Sequence, residues 1–188
     1  MRHEVTLARG DVRLRPLTEQ DAPALRAVVD TGTWAGMSIP LPPDDAAMAA
    51  HLRGMIDAPG ILAFAVEQGG DLVGRTTLYD LVEGLRVEIG NTIYARSVWG
   101  SVVNPSAKLL LLGHAFEELG VGRVALRCDH RNERSHRAIQ RLGARFEGTL
   151  RAFRPAADGS VVDVDYFSIL PAEWPEVRDG LERRLAAS

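Results

Sequence analysis

The sequence predicts an α/β (α+β) domain organised around a mixed central sheet, and three observations lead there. Short runs with two-residue alternation are bracketed by turn dipeptides, longer runs carry apolar residues at helical spacing behind capping side chains, and the two kinds interleave. Their order is strand, helix pair, three strands, helix, strand, helix, two strands, the sequence of a layered sheet-and-helix domain. The chain has 188 residues, 46% of them hydrophobic and 25% charged, with a formal net charge of -3. That is enough to bury a core, and no repeat, low-complexity tract or long linker divides it, so one domain over residues 1–188 is expected.

Glu4 to Ala8 and Asp11 to Leu17 alternate around Arg9-Gly10, which suits a hairpin or a broken first strand. Thr18 can cap a helix beginning near Glu19, with Leu25, Val28 and Val29 on its apolar face. Gly32 to Pro43 breaks helicity with glycine and proline, and a second helix is expected from Asp44 to Asp57, bounded by Pro59-Gly60. Ile61 to Glu67 and Asp71 to Tyr79 read as strands joined through Gln68-Gly69-Gly70. In the next strand Leu85, Val87, Ile89 and Ile93 are expected on one face, leaving Arg86, Glu88, Gly90 and Thr92 on the other. A helix from Pro105 to Leu119, a strand from Arg123 to Asp129 and a helix capped by Asn132 and ending at Gly143 follow. Two strands, Ala144 to Phe153 and Val161 to Leu170, turn through Asp158-Gly159, and a short helix lies in the closing segment.

Composition removes several function classes. No window approaches the roughly 18 to 20 apolar residues of a spanning helix, and the start carries charges where a signal peptide would be apolar. A soluble, cytoplasmic protein without a membrane partner is the expectation. The single cysteine, Cys128, can form neither an internal disulfide nor a thiolate-rich zinc site, and its place in a strand beside Leu126 suits core packing. The near-neutral charge balance argues against nucleic-acid binding. The five histidines lack metal-ligand spacing, so no metal is expected. Nearly every cation is arginine, Lys108 being the sole lysine. Arg127, Arg131, Arg134, Arg137, Arg141 and Arg145 crowd one stretch, read as a solvated face or as a holder of polyanion.

The strand-to-helix junction from Tyr94 to Lys108 carries the clearest chemical signal. Asn104 suits an N-cap and Pro105 the first helical position, so the preceding loop would present unpaired backbone N–H groups at the positive end of a helix dipole. That arrangement suits phosphate, and an ordinary well-capped helix is the bland alternative. No P-loop is present, and Gly120-Val121-Gly122 follows a helix rather than a strand, so it is not a dinucleotide fingerprint.

The run from Glu88 to Arg151, EIGNTIYARSVWGSVVNPSAKLLLLGHAFEELGVGRVALRCDHRNERSHRAIQRLGARFEGTLR, resembles the core of the GNAT N-acetyltransferase superfamily, in its RimJ/RimL-like branch. The opening VRLRPLTEQDAPAL and the closing SILPAEWPEVRDGLERRL extend the resemblance over nearly the whole chain. It implies a mostly antiparallel mixed sheet splayed in a V, with helices on both faces and the pantetheine arm of acetyl-CoA in the split. Ile93, Tyr94 and Ala95 match the strand end that pairs with pantetheine. Gly100, Ser101, Val102, Val103 and Asn104 match the pyrophosphate loop. Asn132 and Ser135 match the helix start beside the thioester. The loop Trp34 to Pro43 and the first helix pair match one wall of the acceptor cleft, where Trp34 and Met37 would supply apolar contact; packing of an irregular loop onto the core is the bland alternative.

Two departures stand out: Val102 occupies a position where the branch often has glycine, and Ile139 one where many members place a tyrosine acid. Acyl transfer requires a base, because a protonated amine has no lone pair for the thioester. Glu88 matches the acidic position on its strand, and its bland reading is a cross-strand partner for Arg86 or Arg75. Ser135 is the candidate proton donor to the departing thiolate, and direct attack is expected. The resemblance thus implies transfer of acetyl from acetyl-CoA to a primary amine, such as a protein N-terminal α-amine. A small-molecule acceptor (amino acid, polyamine or antibiotic) and a non-catalytic GNAT-fold binding module both stay open. A homodimer is compatible with the sequence, which does not set the oligomeric state.

Overall fold

The computed structural model describes residues 3–187. Leu7–Arg9 (β1) and Val12–Pro16 (β2) form the expected hairpin, turning at Gly10 with φ of 58°. Thr18 then donates to Asp21 through its backbone N–H and its hydroxyl, closing one 3-10 turn before Ala22–Val28 (α1). The segment expected to be loop from Gly32 begins instead with one helical turn, Thr31–Trp34 (α2). Asp30 caps it, accepting from the Thr33 amide at 2.7 Å. Asp44 caps Asp45–Asp57 (α3) in the same way.

Leu62–Gln68 (β3), Asp71–Val82 (β4), Arg86–Tyr94 (β5), Val124–Asp129 (β6), Arg145–Pro155 (β7) and Val161–Ile169 (β8) complete one eight-stranded sheet. Its order is β1-β2-β3-β4-β5-β6-β8-β7. Every pairing is antiparallel except β5 with β6. A parallel pair needs a crossover, and the helix Val103–Gly113 (α4) supplies it. Glu133–Leu142 (α5) and Trp174–Ala186 (α6) finish the chain.

The helices cover both faces. One cluster packs Val87, Ile89, Val103, Leu111, Leu112, Leu126, Ile139 and Trp174 together, and Cys128 lies in it as expected. A second packs Leu25, Trp34, Met48 and Leu52 against Ala63, Ala65 and Ile93. Ile93 therefore does not share a face with Val87 and Ile89. Between Gly90, opposite Thr77, and Ile93, opposite Arg75, β5 takes three steps to the two of β4. The extra residue is a bulge at Asn91, whose φ is 48°, and it inverts the inside-outside parity. Leu85 is also displaced: it lies exposed in the turn before β5.

The junction into α4 differs from expectation by two residues. The helix begins at Val103 after an N-cap at Val102, so Asn104 and Pro105 are its second and third residues. Proline is tolerated there because the first turn has no intrahelical acceptor for its N–H groups. The final turn widens to π-helical form over His114–Glu118.

Candidate active site

β5 and β6 pair only over Val87–Ile89 and Val124–Leu126; beyond Leu126, β6 pairs with β8 alone. The two strands part there, at the bulge, and the sheet opens into a split. Ala95 gives its N–H to the Val73 carbonyl on β4 at 2.8 Å, and Ile93 is in register with Arg75 of β4. By strand alternation Tyr94 is the residue whose backbone faces the split. Its carbonyl accepts the Trp99 indole N–H at 3.0 Å. The Tyr94 hydroxyl is buried without a partner among the described residues, and burial raises its pKa.

At the mouth of the split lies the loop before α4. Gly100 has φ of 78°, a conformation that favours glycine, whereas Val102 has φ of -68°. The Ser101 hydroxyl donates to the Val98 carbonyl at 2.7 Å, and its oxygen accepts the Val103 amide at 3.2 Å. Among the described residues the amides of Gly100, Val102 and Asn104 have no acceptor. Such a row at a helix start suits anionic oxygen. Arg134 of α5 stacks on Trp99 with its guanidinium carbon 3.6 Å from the ring centre, and Arg96 pairs with Asp30 at 2.7 Å. The arginine-rich stretch is thus divided: Arg134 flanks this loop, Arg131 pairs with Asp129, and Arg137 with Glu133.

Across the split, the Asn132 side chain accepts the Ser135 amide at 3.0 Å and starts α5, as the sequence indicates. The Cys128 thiol is pushed up to about 11, by burial first and by the charge of Asp165 second, while a hydrogen bond with Ser135 works the other way. A thiol so held is neutral and a poor nucleophile. Asp165, buried on β8, accepts from the Thr149 hydroxyl at 2.7 Å and binds His130 Nδ1 at 3.0 Å, with His136 Nε2 at 3.5 Å. This carboxylate underlies the β6–α5 junction, which the sequence did not indicate.

Glu88 is only 6% exposed. Neither Arg86 nor Arg75 pairs with it: Arg86 binds Asp80 at 3.1 Å, and the Arg75 guanidinium lies against the bulge. Its partners are Tyr79, whose hydroxyl donates to Oε1, and Arg127, whose Nε is 2.8 Å from the same oxygen. Arg127 also donates to the Tyr166 hydroxyl at 2.7 Å. Among the described residues Oε2 has no donor. Burial raises the Glu88 pKa from its ordinary value, while Tyr79 and Arg127 oppose the rise. Gly90 makes room for this cluster, since a Cβ there would lie 2.7 Å from the Tyr79 ring.

The loop after α2 closes the same side. Arg154 of β7 donates to the carbonyls of Gly36 at 3.0 Å and Met37 at 3.3 Å. Trp34 is fully buried beneath Arg75 and gives its indole N–H to the Ile39 carbonyl, so Met37 rather than Trp34 reaches the boundary of the site. Lys108 was not singled out for this site by the sequence. It belongs to α4 and is buried, with its ammonium 3.4 Å from Thr92 Oγ1, and burial lowers its pKa to about 8.

Comparison with known families settles the kinship of this arrangement. Residues 11–145 match the family described as Acetyltransferase (GNAT) domain. The chain belongs to the GNAT acetyltransferase family. It is 34% identical over 111 residues to the Bacillus subtilis (strain 168) protein named "Putative ribosomal N-acetyltransferase YdaF", a match spanning 56% of this chain and 57% of that protein. A solved structure from T. thermophilus, described as a "putative acetyltransferase", is 37% identical with a TM-score of 0.90. It covers 98% of this chain and 99% of its own. RimJ of Mycobacterium smegmatis, solved with CoA-disulfide, shares the fold at a TM-score of 0.80 and 24% identity, covering 98% of this chain and 95% of its own. The expected GNAT fold, with its V-shaped split and helices on both faces, is therefore found. Among the described residues no helix is long and apolar enough to cross a membrane, and no group of three or more His, Cys, Asp or Glu side chains could hold a metal.

Proposed function

We propose that this GNAT acetyltransferase moves an acetyl group from acetyl-CoA to a primary amine by direct attack, with residues 1–188 acting as one catalytic domain. The observation that carries the reading is the split beyond Leu126, with the Tyr94 backbone on one wall and the unpaired amides of Gly100, Val102 and Asn104 at its mouth. The loop and Arg134 would take the phosphates, and Tyr94 would pair with the pantetheine arm. That the M. smegmatis relative of the same fold was solved with CoA-disulfide supports this cofactor. The Trp99 indole N–H that engages the Tyr94 carbonyl would yield that acceptor to an amide of pantetheine.

Glu88 is the base in this reading. Its free Oε2 takes a proton from the acceptor ammonium, and its raised pKa brings it nearer to the amine it must deprotonate. The amine nitrogen would then attack the thioester carbonyl and the C–S bond would break; Ser135 would pass its hydroxyl proton to the departing thiolate and regain one from solvent, to which the acylated nitrogen sheds its second proton. Arg127 and Tyr79 hold Glu88 in place. Burial of Cys128, which pushes its thiol up, favours direct attack over an acyl-cysteine intermediate. A protein N-terminal α-amine is the favoured acceptor, because the B. subtilis relative is named a ribosomal N-acetyltransferase and such an amine needs the weaker base. We place the enzyme in the cytoplasm. Calorimetric titration with acetyl-CoA and with coenzyme A tests the cofactor: micromolar binding, about 8 kcal/mol, is expected. No detectable heat with either would replace this reading with that of a non-catalytic GNAT-fold binding module.

A further inference from the structure

Arg75 is 1% exposed, and no carboxylate among the described residues pairs with it. Arginine is rarely buried so deeply without a counter-charge, because desolvating a guanidinium is costly unless an anion shares the site. What surrounds it is neutral. Nη1 donates to the Asn91 carbonyl at 2.9 Å and approaches the Met55 sulfur at 3.5 Å. Nη2 lies 3.5 Å from the Met37 sulfur and 3.3 Å from His51 Nε2, and the Trp34 ring centre is 5.3 Å from the guanidinium carbon. His51 is held neutral, burial and then the charge of Arg75 bringing its pKa down to about 4. Nε is buried with no partner among the described residues.

The unsatisfied edge is specific in shape. Nε and Nη2 form the side of the guanidinium that grips a carboxylate through two parallel hydrogen bonds, and this is the side that lacks an acceptor oxygen. Against Nη2 on this edge lies Met37, an unbranched side chain with several rotatable bonds, on the loop that borders the acceptor side. Asn91, which Arg75 holds, is three residues from Glu88 on β5. At about 3.3 Å per strand residue the two points lie roughly 10 Å apart or less.

We infer that Arg75 recognises a carboxylate carried by the acceptor, so that the amine presented to Glu88 belongs to a molecule with an anionic group about one residue away. The inference deepens the acyl-transfer reading and rests on it. A free acidic amino acid and the N-terminus of a peptide with an acidic second residue share this chemistry. When the acceptor binds, the Met37 side chain swings aside and the carboxylate takes its place on Nε and Nη2.

The test is acetyl transfer by the full chain to two matched pairs of probes. One pair is aspartate and its diamide; the other is the C-terminally amidated peptides Ser-Asp-Ala-Ala and Ser-Asn-Ala-Ala. At least one carboxylate-bearing member should have a tenfold or greater advantage in kcat/KM, and the pair that shows it names the source. Arg75→Gln should collapse that ratio toward one, with acetyl-CoA affinity measured alongside as the control for folding. Met37→Glu supplies a carboxylate from the chain itself, and should also abolish the advantage while raising Tm. A ratio below about twofold in both pairs would overturn the inference, as would an Arg75→Gln variant that loses both members equally, which would make Arg75 only a support for the bulge. Absence of acetyl-CoA binding would overturn the acyl-transfer reading, and this inference with it, through a separate readout.

Discussion

Arg127 Nε lies 2.8 Å from Glu88 Oε1, joining the two strands whose separation opens the split. The pair is buried on the Glu88 side and partly open on the Arg127 side, so the carboxylate is fixed while one oxygen stays available. If Glu88 gathers the acceptor proton, Glu88→Gln should lower kcat by about 10²- to 10⁴-fold. The loss should be greatest at low pH, where the amine is protonated, and should shrink as pH rises and the free amine becomes abundant. A pH–rate profile of parallel wild-type and variant curves would remove Glu88 from that role.

Gly90 and Gly74 are required by close approach rather than by backbone angle. At Gly74 a Cβ would lie 2.2 Å from the Ile93 carbonyl oxygen, a backbone atom that cannot step aside, so Gly74→Ala should destabilise the protein by about 1–3 kcal/mol. At Gly90 the obstacle is the Tyr79 ring. Gly90→Ala should therefore displace the Tyr79 hydroxyl from Glu88 and alter the pH–rate profile more than the denaturation midpoint. Urea titration and kinetics on both variants separate the two effects.

Val102 sits without backbone strain in the loop proposed to take the phosphates. Its φ of -68° is open to any L-residue, whereas Gly100, at 78°, is in the left-handed region. Val102→Gly should leave acetyl-CoA affinity within about threefold and cost roughly 0.5–1 kcal/mol of stability through the added freedom of the unfolded chain. Gly100→Ala should weaken binding more. Calorimetry of both variants checks the order, and tighter binding by Val102→Gly than by wild type would count against this assignment.

Asp165 ties the β6–α5 junction to pH. Its own pKa is lowered: burial acts to raise it, and Thr149 and His130 more than offset that. The His130 pKa is raised, chiefly by its hydrogen bond to Asp165. A depressed carboxylate contributes stability above its unfolded value of 3.8 and loses it as pH falls through the folded one. A raised histidine contributes fully below 6.5 and loses it as pH rises through its folded value. The contribution of the His130–Asp165 pair to Tm should therefore decline as pH passes above 6.5. His130→Asn should flatten that decline, and thermal melts across pH 5 to 9 would show it.

Much of this is legible in the sequence, for reasons that differ by element. Asn132 announces its helix because a short polar side chain before a helical run satisfies an orphan amide, and it caps as read; Asp44, read as the first helical residue, caps in the same way one position earlier. The strand pattern of β5 fails at one residue. A period-two reading cannot detect the bulge at Asn91, so it places Ile93 on the wrong face. The start of α4 is displaced because Asn104 and Pro105 form a persuasive cap signal, while the actual cap, Val102, has no side-chain oxygen and relies on Ser101. For Glu88, local spacing suggests Arg86 or Arg75, but the partner is Arg127, brought alongside by the parallel pairing of β5 with β6. No local pattern encodes that contact. Arg75 escapes for the opposite reason: in sequence it looks like any surface arginine, and only the packing of Trp34, Met37, His51 and Met55 around it reveals a buried charge.

Acetyl transfer to an amine by this split sheet is the activity proposed. Its most direct test is to incubate the purified chain with acetyl-CoA and a panel of peptide and small-molecule amines, following free coenzyme A by thiol detection and the acetylated product by mass spectrometry. Amine-dependent release of coenzyme A matched by an N-acetylated product, strongly reduced in Glu88→Gln, is the expected result. Tight binding of acetyl-CoA with no acetylated product from any amine on the panel would contradict it.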